Sequence, residues 1–75
     1  MPNLLEYNIM RLKDKSVEAR LKSINELRLL GDPAAMAPLE QLFHNDPDAD
    51  VRKAAQAAGR ELFLKQQQTR SKPKS

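Results

Sequence analysis

The stretch that decides the fold is residues 31–52, GDPAAMAPLEQLFHNDPDADVR. It reads as a helix end, a helix start, a short helix, an acidic turn and the start of a further helix. Gly31 is expected to be the left-handed residue that ends the preceding helix. Asp32 as N-cap and Pro33 at the first helical position form a strong start signal, because proline gives up only a backbone donor that would lack a partner there.

The helix that starts after Asp32 contains a second proline, Pro38. One interpretation is a helix bent at Pro38, where a backbone hydrogen bond is lost. The other is a loop through Pro38 with a later helix start. The bent helix is favoured, because the apolar positions keep their helical phase across the proline: Met36, Leu39, Leu42 and Phe43.

Two helices are predicted upstream. Helical recurrence of Leu4, Tyr7 and Met10, with Ile9 and Leu12 beside them, predicts a first helix over residues 3–12. Ser16 is the expected N-cap of a second helix that ends at Leu30. That helix carries one apolar stripe, made of Val17, Leu21, Ile24, Leu27 and Leu30.

A fourth helix is predicted from about Ala49 to Lys65. The acids of the turn before it favour a helix N-terminus. Its inward residues are small, which allows close helix approach: Val51, Ala54, Ala55, Ala58 and Leu62. Residues 65–75 are polar and basic, and we expect them to form a disordered tail.

The composition fits one small domain of 75 residues without cysteine, which excludes disulfides and thiolate metal sites. The last eleven residues hold four of the thirteen basic residues and no acid, so residues 1–64 carry nine basic and ten acidic residues. The net charge of +3 is therefore a property of the tail. No apolar run is long enough for a membrane span, and the start lacks a signal-peptide pattern. We expect a cytoplasmic protein without membrane insertion.

An internal repeat appears when the chain is shifted by 32 residues without a gap. Asp14 falls on Asp46, and Arg20 falls on Arg52. The apolar phase of the first helix agrees as well, with Leu4, Tyr7 and Met10 falling on Met36, Leu39 and Leu42. A repeated helix–turn–helix unit of this length is typical of an α-solenoid. The predicted fold is all-α, with four helices as two stacked hairpins over residues 1–64, in repeats of about 1–32 and 33–64.

The residues that carry this pattern resemble the HEAT repeat, in particular the short variety of phycobilisome-lyase-like proteins and many bacterial repeat proteins. They are residues 30–33 (LGDP), Pro38-Leu39, and Asp46 followed by Val51-Arg52. The resemblance implies a non-catalytic protein-binding or scaffold module. It also implies framework roles, including a ladder between repeats, for Asp14, Arg20, Asp32, Asp46 and Arg52. A factor related to phycobilisome assembly or bilin attachment is an alternative that it admits.

Gln56 and Gly59 depart from this pattern, since the first repeat has Ile24 and Leu27 in their places. The second repeat is therefore polar or hollow on one face, which makes it a terminal cap or a docking site. Stable solenoids usually need three or more repeats. We expect the exposed ends to be covered by a protein partner or in a homodimer, with binding residues Lys22, Glu26, Lys53, Gln56, Arg60 and Phe63.

No residue pattern indicates catalysis, a cofactor or a metal. His44 is the single histidine, and the acids of the turn lack the glycine and closing glutamate of an EF-hand loop. A nucleic-acid-binding accessory role is a further alternative. It would use the basic tail and an arginine column of Arg20, Arg28, Arg52 and Arg60. It is less favoured, because residues 1–64 are slightly acidic and phosphate binding needs positive faces.

Overall fold

The structure is a computed structural model that describes residues 3–70, with side chains described as far as Gln67. Its four α-helices are α1 (Leu4–Arg11), α2 (Val17–Leu30), α3 (Met36–Asn45) and α4 (Ala49–Arg70), and these described residues contain no strand. Helix α1 packs on α2, α3 packs on α4, and contacts between α2 and α4 join the two hairpins. The prediction of an all-α fold of two stacked hairpins is confirmed.

The ends of α2 are fixed by the predicted capping residues. The Ser16 hydroxyl accepts a hydrogen bond from the Ala19 backbone N–H at 3.2 Å. Gly31 has a φ of 69°, in the left-handed region, and its N–H donates to the Leu27 carbonyl at 3.2 Å. Both bonds satisfy backbone groups that a helix end leaves without partners.

The segment after Gly31 differs in detail from the prediction. Asp32 accepts from the Ala34 N–H at 2.9 Å, and Pro33–Ala35 form a 3₁₀ turn that leads into α3. Pro38 is then the third residue of α3, where a backbone N–H would have no intrahelical acceptor. The departure from regular α-helix is therefore the 3₁₀ turn before Pro38, and not a bend at Pro38 itself. The interpretation of Pro38 as a loop residue is wrong.

The core lies where the two hairpins meet. Leu39 of α3 and the predicted inward residues Val51, Ala55, Ala58 and Leu62 of α4 are buried. From the first hairpin, Leu12, Ile24 and Leu27 join the same cluster. The small side chains along α4 leave room for the larger leucines of its neighbours, as the sequence predicted.

Only part of the apolar pattern that predicted α1 faces inward. Leu4, Tyr7 and Met10 are 56%, 44% and 61% exposed, whereas Leu5, Asn8, Ile9 and Leu12 face the protein. The connector between α1 and α2, residues 12–16, is two residues longer than the connector between α3 and α4, residues 46–48. Two residues correspond to about 200° around a helix, so a uniform shift of 32 brings the wrong face of α1 onto α3.

The stripe predicted on α2 is also corrected at both ends. Val17 and Leu30 are exposed, and the buried face is Arg20, Ser23, Ile24 and Leu27. This set has the i, i+3, i+4, i+7 spacing of one helix face. A charged residue is part of it because the Arg20 guanidinium has its own partner, described below.

Helix α4 is longer than predicted, since it continues to Arg70 instead of ending near Lys65. The expected disordered tail therefore does not begin at Lys65, and residues 71–75 lie outside the described residues. Lys65 packs close to the end of α2: its Nζ lies 3.3 Å from the position that a Cβ on Gly31 would take. The far half of α4 thus contributes to the contact between the hairpins.

Candidate functional site

Each hairpin contains the same arginine–aspartate contact across its turn. Arg20 Nη1 donates to the Asp14 carbonyl at 2.8 Å, and Arg52 Nη1 donates to the Asp46 carbonyl at 2.8 Å. The aspartate side chains also act alike, because each accepts a backbone N–H two residues later at 2.9 Å. The shift of 32 residues is therefore correct for the turns, although it is incorrect for α1.

A second contact of Arg20 reaches across to the other hairpin. Its Nε lies 2.9 Å from Asp46 Oδ1, and its Nη2 donates to Asp46 Oδ2 at 3.2 Å. The Nε contact is an ion pair without an aligned hydrogen bond. The two side chains are only 10% and 4% exposed, so this pair is shielded from water. Removing one partner of such a pair leaves a buried charge without compensation.

The same contact is incomplete at the two ends of the array. The Arg52 guanidinium donates to the Asp46 backbone carbonyl, but within the described part of the chain it contacts no carboxylate. At the other end, the Asp14 side chain is 38% exposed and lies 4.0 Å from Arg11 Nη2. Among the described residues, Asp14 thus has no arginine from another hairpin at the place where Arg20 contacts Asp46. Arg52 likewise has no aspartate from another hairpin among them.

A groove of about 240 Å³ lies between α3 and α4, and we call it the C-terminal groove. Its lining residues are Met36, Glu40, Phe43, Ala55, Gln56, Gly59, Arg60 and Phe63. Phe63 is 48% exposed. Gly59 leaves space there, since an added Cβ would meet only the Leu39 Cβ, at 4.0 Å. The groove therefore combines apolar side chains with one acid, one base and one amide.

The C-terminal groove lies on the side of α4 that faces away from α2. Glu61 marks the side towards α2, because its Oε1 lies 3.5 Å from Arg28 Nη1. Phe63 follows Glu61 by two residues, which is about 200° around the helix. The groove is thus the open end of the second hairpin, where a third hairpin of a longer solenoid would lie.

The other end of the array carries the N-terminal groove, of about 190 Å³, between α1 and α2. It is lined by Leu4, Tyr7, Asn8, Arg11, Lys22, Ser23 and Glu26. Glu26 precedes Arg28 by two residues and so points away from α4 by the same helical argument. The two grooves share no residue and lie at opposite ends of the stack.

The six predicted binding residues are divided between these ends. Gln56, Arg60 and Phe63 line the C-terminal groove, whereas Lys22 and Glu26 line the N-terminal groove. Lys53 is exposed and lines neither of them. The structure therefore does not bring the six residues onto one surface.

Sequence reasoning missed two surface features. A groove of about 460 Å³ runs between α1 and α3, with Ile9, Pro38 and Leu42 among its lining residues. The second feature is the exposed apolar stripe of Leu4, Tyr7 and Met10, whose spacing predicted the helix but not its exposed face. No local signal identifies either one, because both depend on how α1 is rotated and placed relative to α3.

The arginines of the predicted column are mostly engaged. Arg20 and Arg52 make the turn contacts described above, and Arg28 pairs with Glu61 while its Nη2 donates to Asn25 Oδ1 at 2.7 Å. Only Arg60, at the C-terminal groove, has neither an ion pair nor a side-chain hydrogen bond within the described residues. Two of the four arginines thus face a carboxylate, which leaves the charges of Arg52 and Arg60 for phosphates.

The acids of the second turn have structural partners. Asp48 Oδ1 accepts from the Asp50 and Val51 backbone N–H groups at 2.8 and 3.1 Å, so Asp48 caps α4. Residues 3–70 contain no group of three His, Cys, Asp or Glu side chains placed to hold a metal ion. No helix in that range is long and apolar enough to span a membrane.

Comparison with known proteins gives one family. A family model described as HEAT repeats matches residues 2–59, which is most of the chain. The match supports HEAT repeats in general and not the phycobilisome-lyase-like variety in particular. The comparisons with curated proteins and with solved structures found no match.

Proposed function

We propose that this chain, which belongs to the HEAT-repeat family, is a non-catalytic module that binds a protein partner in its C-terminal groove. HEAT repeats are generally scaffolds for protein interactions. The observation that carries the choice of site is the exposed Phe63 beside Met36 and Phe43 in one open groove. An apolar groove with a polar rim suits the apolar face of a helix from a partner.

The repeat itself supports this choice of site. In the first hairpin, Ile24 and Leu27 are buried at the contact with the second hairpin. The equivalent residues of the second hairpin, Gln56 and Gly59, line the open groove. The C-terminal groove is thus the repeat-equivalent of a surface that already holds a helical hairpin.

The chemistry of the groove favours binding over catalysis. Its ionisable groups are Glu40 and Arg60, on different helices and together with apolar side chains. His44 Nε2 lies 3.7 Å from Glu40 Oε2 on the exposed face of α3, where both side chains are mostly in water. Such groups suit the rim of a protein interface, where charges set orientation and partner choice.

The paired arginines favour a protein over a nucleic acid as the partner. Arg20 and Arg28 face the carboxylates of Asp46 and Glu61, so they would release few counterions from a phosphate backbone, and that release supplies most of non-specific nucleic-acid affinity. The nucleic-acid alternative therefore depends on Arg52, Arg60 and the basic tail.

The test is affinity purification from the source organism with wild type, Phe63→Ala and Leu64→Ala. Phe63 and Leu64 are neighbours with 48% and 49% exposure, but only Phe63 lines the groove. We expect one protein to be retained by wild type and by Leu64→Ala and to be lost with Phe63→Ala. Equal retention by all three chains would contradict the proposal. So would salt-sensitive retention of DNA in place of a protein.

A further inference from the structure

We propose that the C-terminal groove receives the N-terminal end of a second copy of this chain, so that copies associate head to tail. This inference rests on the proposed function, because it names the partner of the same groove. It starts from the interface inside the chain, where Arg20 of the first hairpin meets Asp46 of the second.

Arg52 and Asp14, at the two ends, match the two residues of that internal contact. In the next contact of the series, Arg52 takes the place of Arg20, and an aspartate of a following hairpin takes the place of Asp46. Asp14 of a second copy is that aspartate, because its side chain and carbonyl make the same local bonds as those of Asp46. The Asp14 carboxylate is partly exposed and so is accessible to an Arg52 from another chain.

Both grooves also carry ionisable side chains. The C-terminal groove presents Glu40 and Arg60, while the N-terminal groove presents Arg11, Lys22 and Glu26. Each end thus offers acidic and basic side chains. Charges of both signs at two facing surfaces set the orientation of one copy on the next.

Apolar surface is exposed at both ends. Leu4 and Tyr7 line the N-terminal groove, and Met36, Phe43 and Phe63 line the C-terminal groove. With the connector of the first hairpin two residues longer, Leu4 and Tyr7 are equivalent to Pro38 and Gln41 of α3. Pro38 and Gln41 line the groove towards α1 in the internal interface. The same stacking therefore turns Leu4 and Tyr7 of a second copy towards α3 of the first.

The intermolecular contact should be weaker than the internal one. Gln56 and Gly59 stand in place of Ile24 and Leu27. Repetition of the Arg28–Glu61 pair would place Leu29 of the second copy, and not an acid, beside Arg60. Less apolar surface is buried and one ion pair is lost. Association is therefore expected to depend on concentration, and copies added head to tail continue past two because no twofold axis closes them.

Multi-angle light scattering and sedimentation velocity test the proposal with a charge reversal at each end, Arg52→Glu and Asp14→Lys. Wild type is expected to increase in mass beyond two chains between about 10 µM and 1 mM. Each variant alone is expected to stay at the mass of one chain, because like charges then face each other. An equimolar mixture restores opposite charges at every contact, so its mass is expected to rise again.

Three results would overturn the proposal: wild type remaining monomeric throughout, variants that associate like wild type, or a mixture that stays monomeric while circular dichroism shows both variants folded. If a charge reversal unfolds the chain, Arg52→Gln and Asp14→Asn remove the charge and keep a local donor or acceptor. They are expected to lower association, and unchanged association overturns the proposal. Partner capture that depends on Phe63 in a chain that stays monomeric rejects this inference alone and leaves the proposed function standing.

Discussion

Arg20 and Asp46, which are 26 residues apart in the sequence, form the buried ion pair that joins the two hairpins. Arg20 also holds its own turn through the Asp14 carbonyl, so one side chain connects a local turn to the tertiary contact. The two hairpins are therefore held in a fixed relation, which positions an open groove at each end.

We predict that Asp46→Asn lowers the free energy of unfolding by about 3–5 kcal/mol, because it leaves the buried Arg20 charge uncompensated. That is a large part of the roughly 4–11 kcal/mol expected for a chain of this length. Asp14→Asn is the matched control, since its carboxylate is exposed and makes no contact between hairpins. It should cost less than about 1 kcal/mol. Urea unfolding followed by circular dichroism measures both, and equal losses would show that the ion pair does not join the hairpins.

The two glycines are predicted to respond in opposite directions to alanine. Gly31→Ala is strained by a φ of 69° and should lower stability by about 1–2 kcal/mol. Gly59→Ala places a methyl group in ordinary contact within a helix and should raise stability by up to about 1 kcal/mol. Each kcal/mol corresponds to about 4–8 °C in the melting temperature of a domain of this size. A fall in melting temperature for Gly59→Ala would contradict the space that the structure shows beside Gly59.

The rotation of α1 is tested by alanine at two neighbouring apolar positions. Leu12 is buried and Met10 is exposed. Leu12→Ala is expected to cost about 2–5 kcal/mol, and Met10→Ala is expected to stay within about 0.5 kcal/mol of wild type. The free energy of unfolding in urea measures both. The reverse order of losses would mean that Met10, and not Leu12, faces the core.

Replacing Gln56 in the C-terminal groove with the isoleucine of the first repeat should strengthen association between copies of the chain. Gln56→Ile adds apolar surface to the groove where the first hairpin has Ile24. Ala57→Ile is the matched control, since Ala57 is exposed and lies outside the groove. Sedimentation velocity is expected to show a larger average mass for Gln56→Ile than for wild type at equal concentration. Equal increases for both variants would indicate nonspecific association through any added apolar residue.

The sequence predicted the features that depend on local chemistry. The caps Ser16 and Gly31 and the small inward face of α4 follow from capping preferences and helical spacing. The face of α1 could not be predicted in the same way, because apolar residues surround that helix and the connector length alone decides its rotation. The extra length of α4 was missed because residues 66–70 (QQQTR) were treated as tail residues, although glutamine and arginine favour helices.

The candidate site was predictable only in part. Phe63 was among the predicted binding residues, but its neighbours in the groove, Met36 and Phe43, come from another helix. Division of the six binding residues between two ends depends on which side of α2 and α4 the other hairpin covers. The framework role of Arg20 was expected only from the family resemblance, because its buried partner Asp46 is far along the chain.

Native-state hydrogen exchange tests most directly the claim that the two hairpins form one stacked unit. The amides to follow are those of Ile24 and Leu27 in α2 and of Ala55 and Ala58 in α4, all of them buried residues. If the hairpins share one core, these amides exchange with the same free energy of opening, equal to that of global unfolding in urea. Exchange in α2 roughly tenfold faster than in α4 would mean that the hairpins open separately, and it would contradict the account.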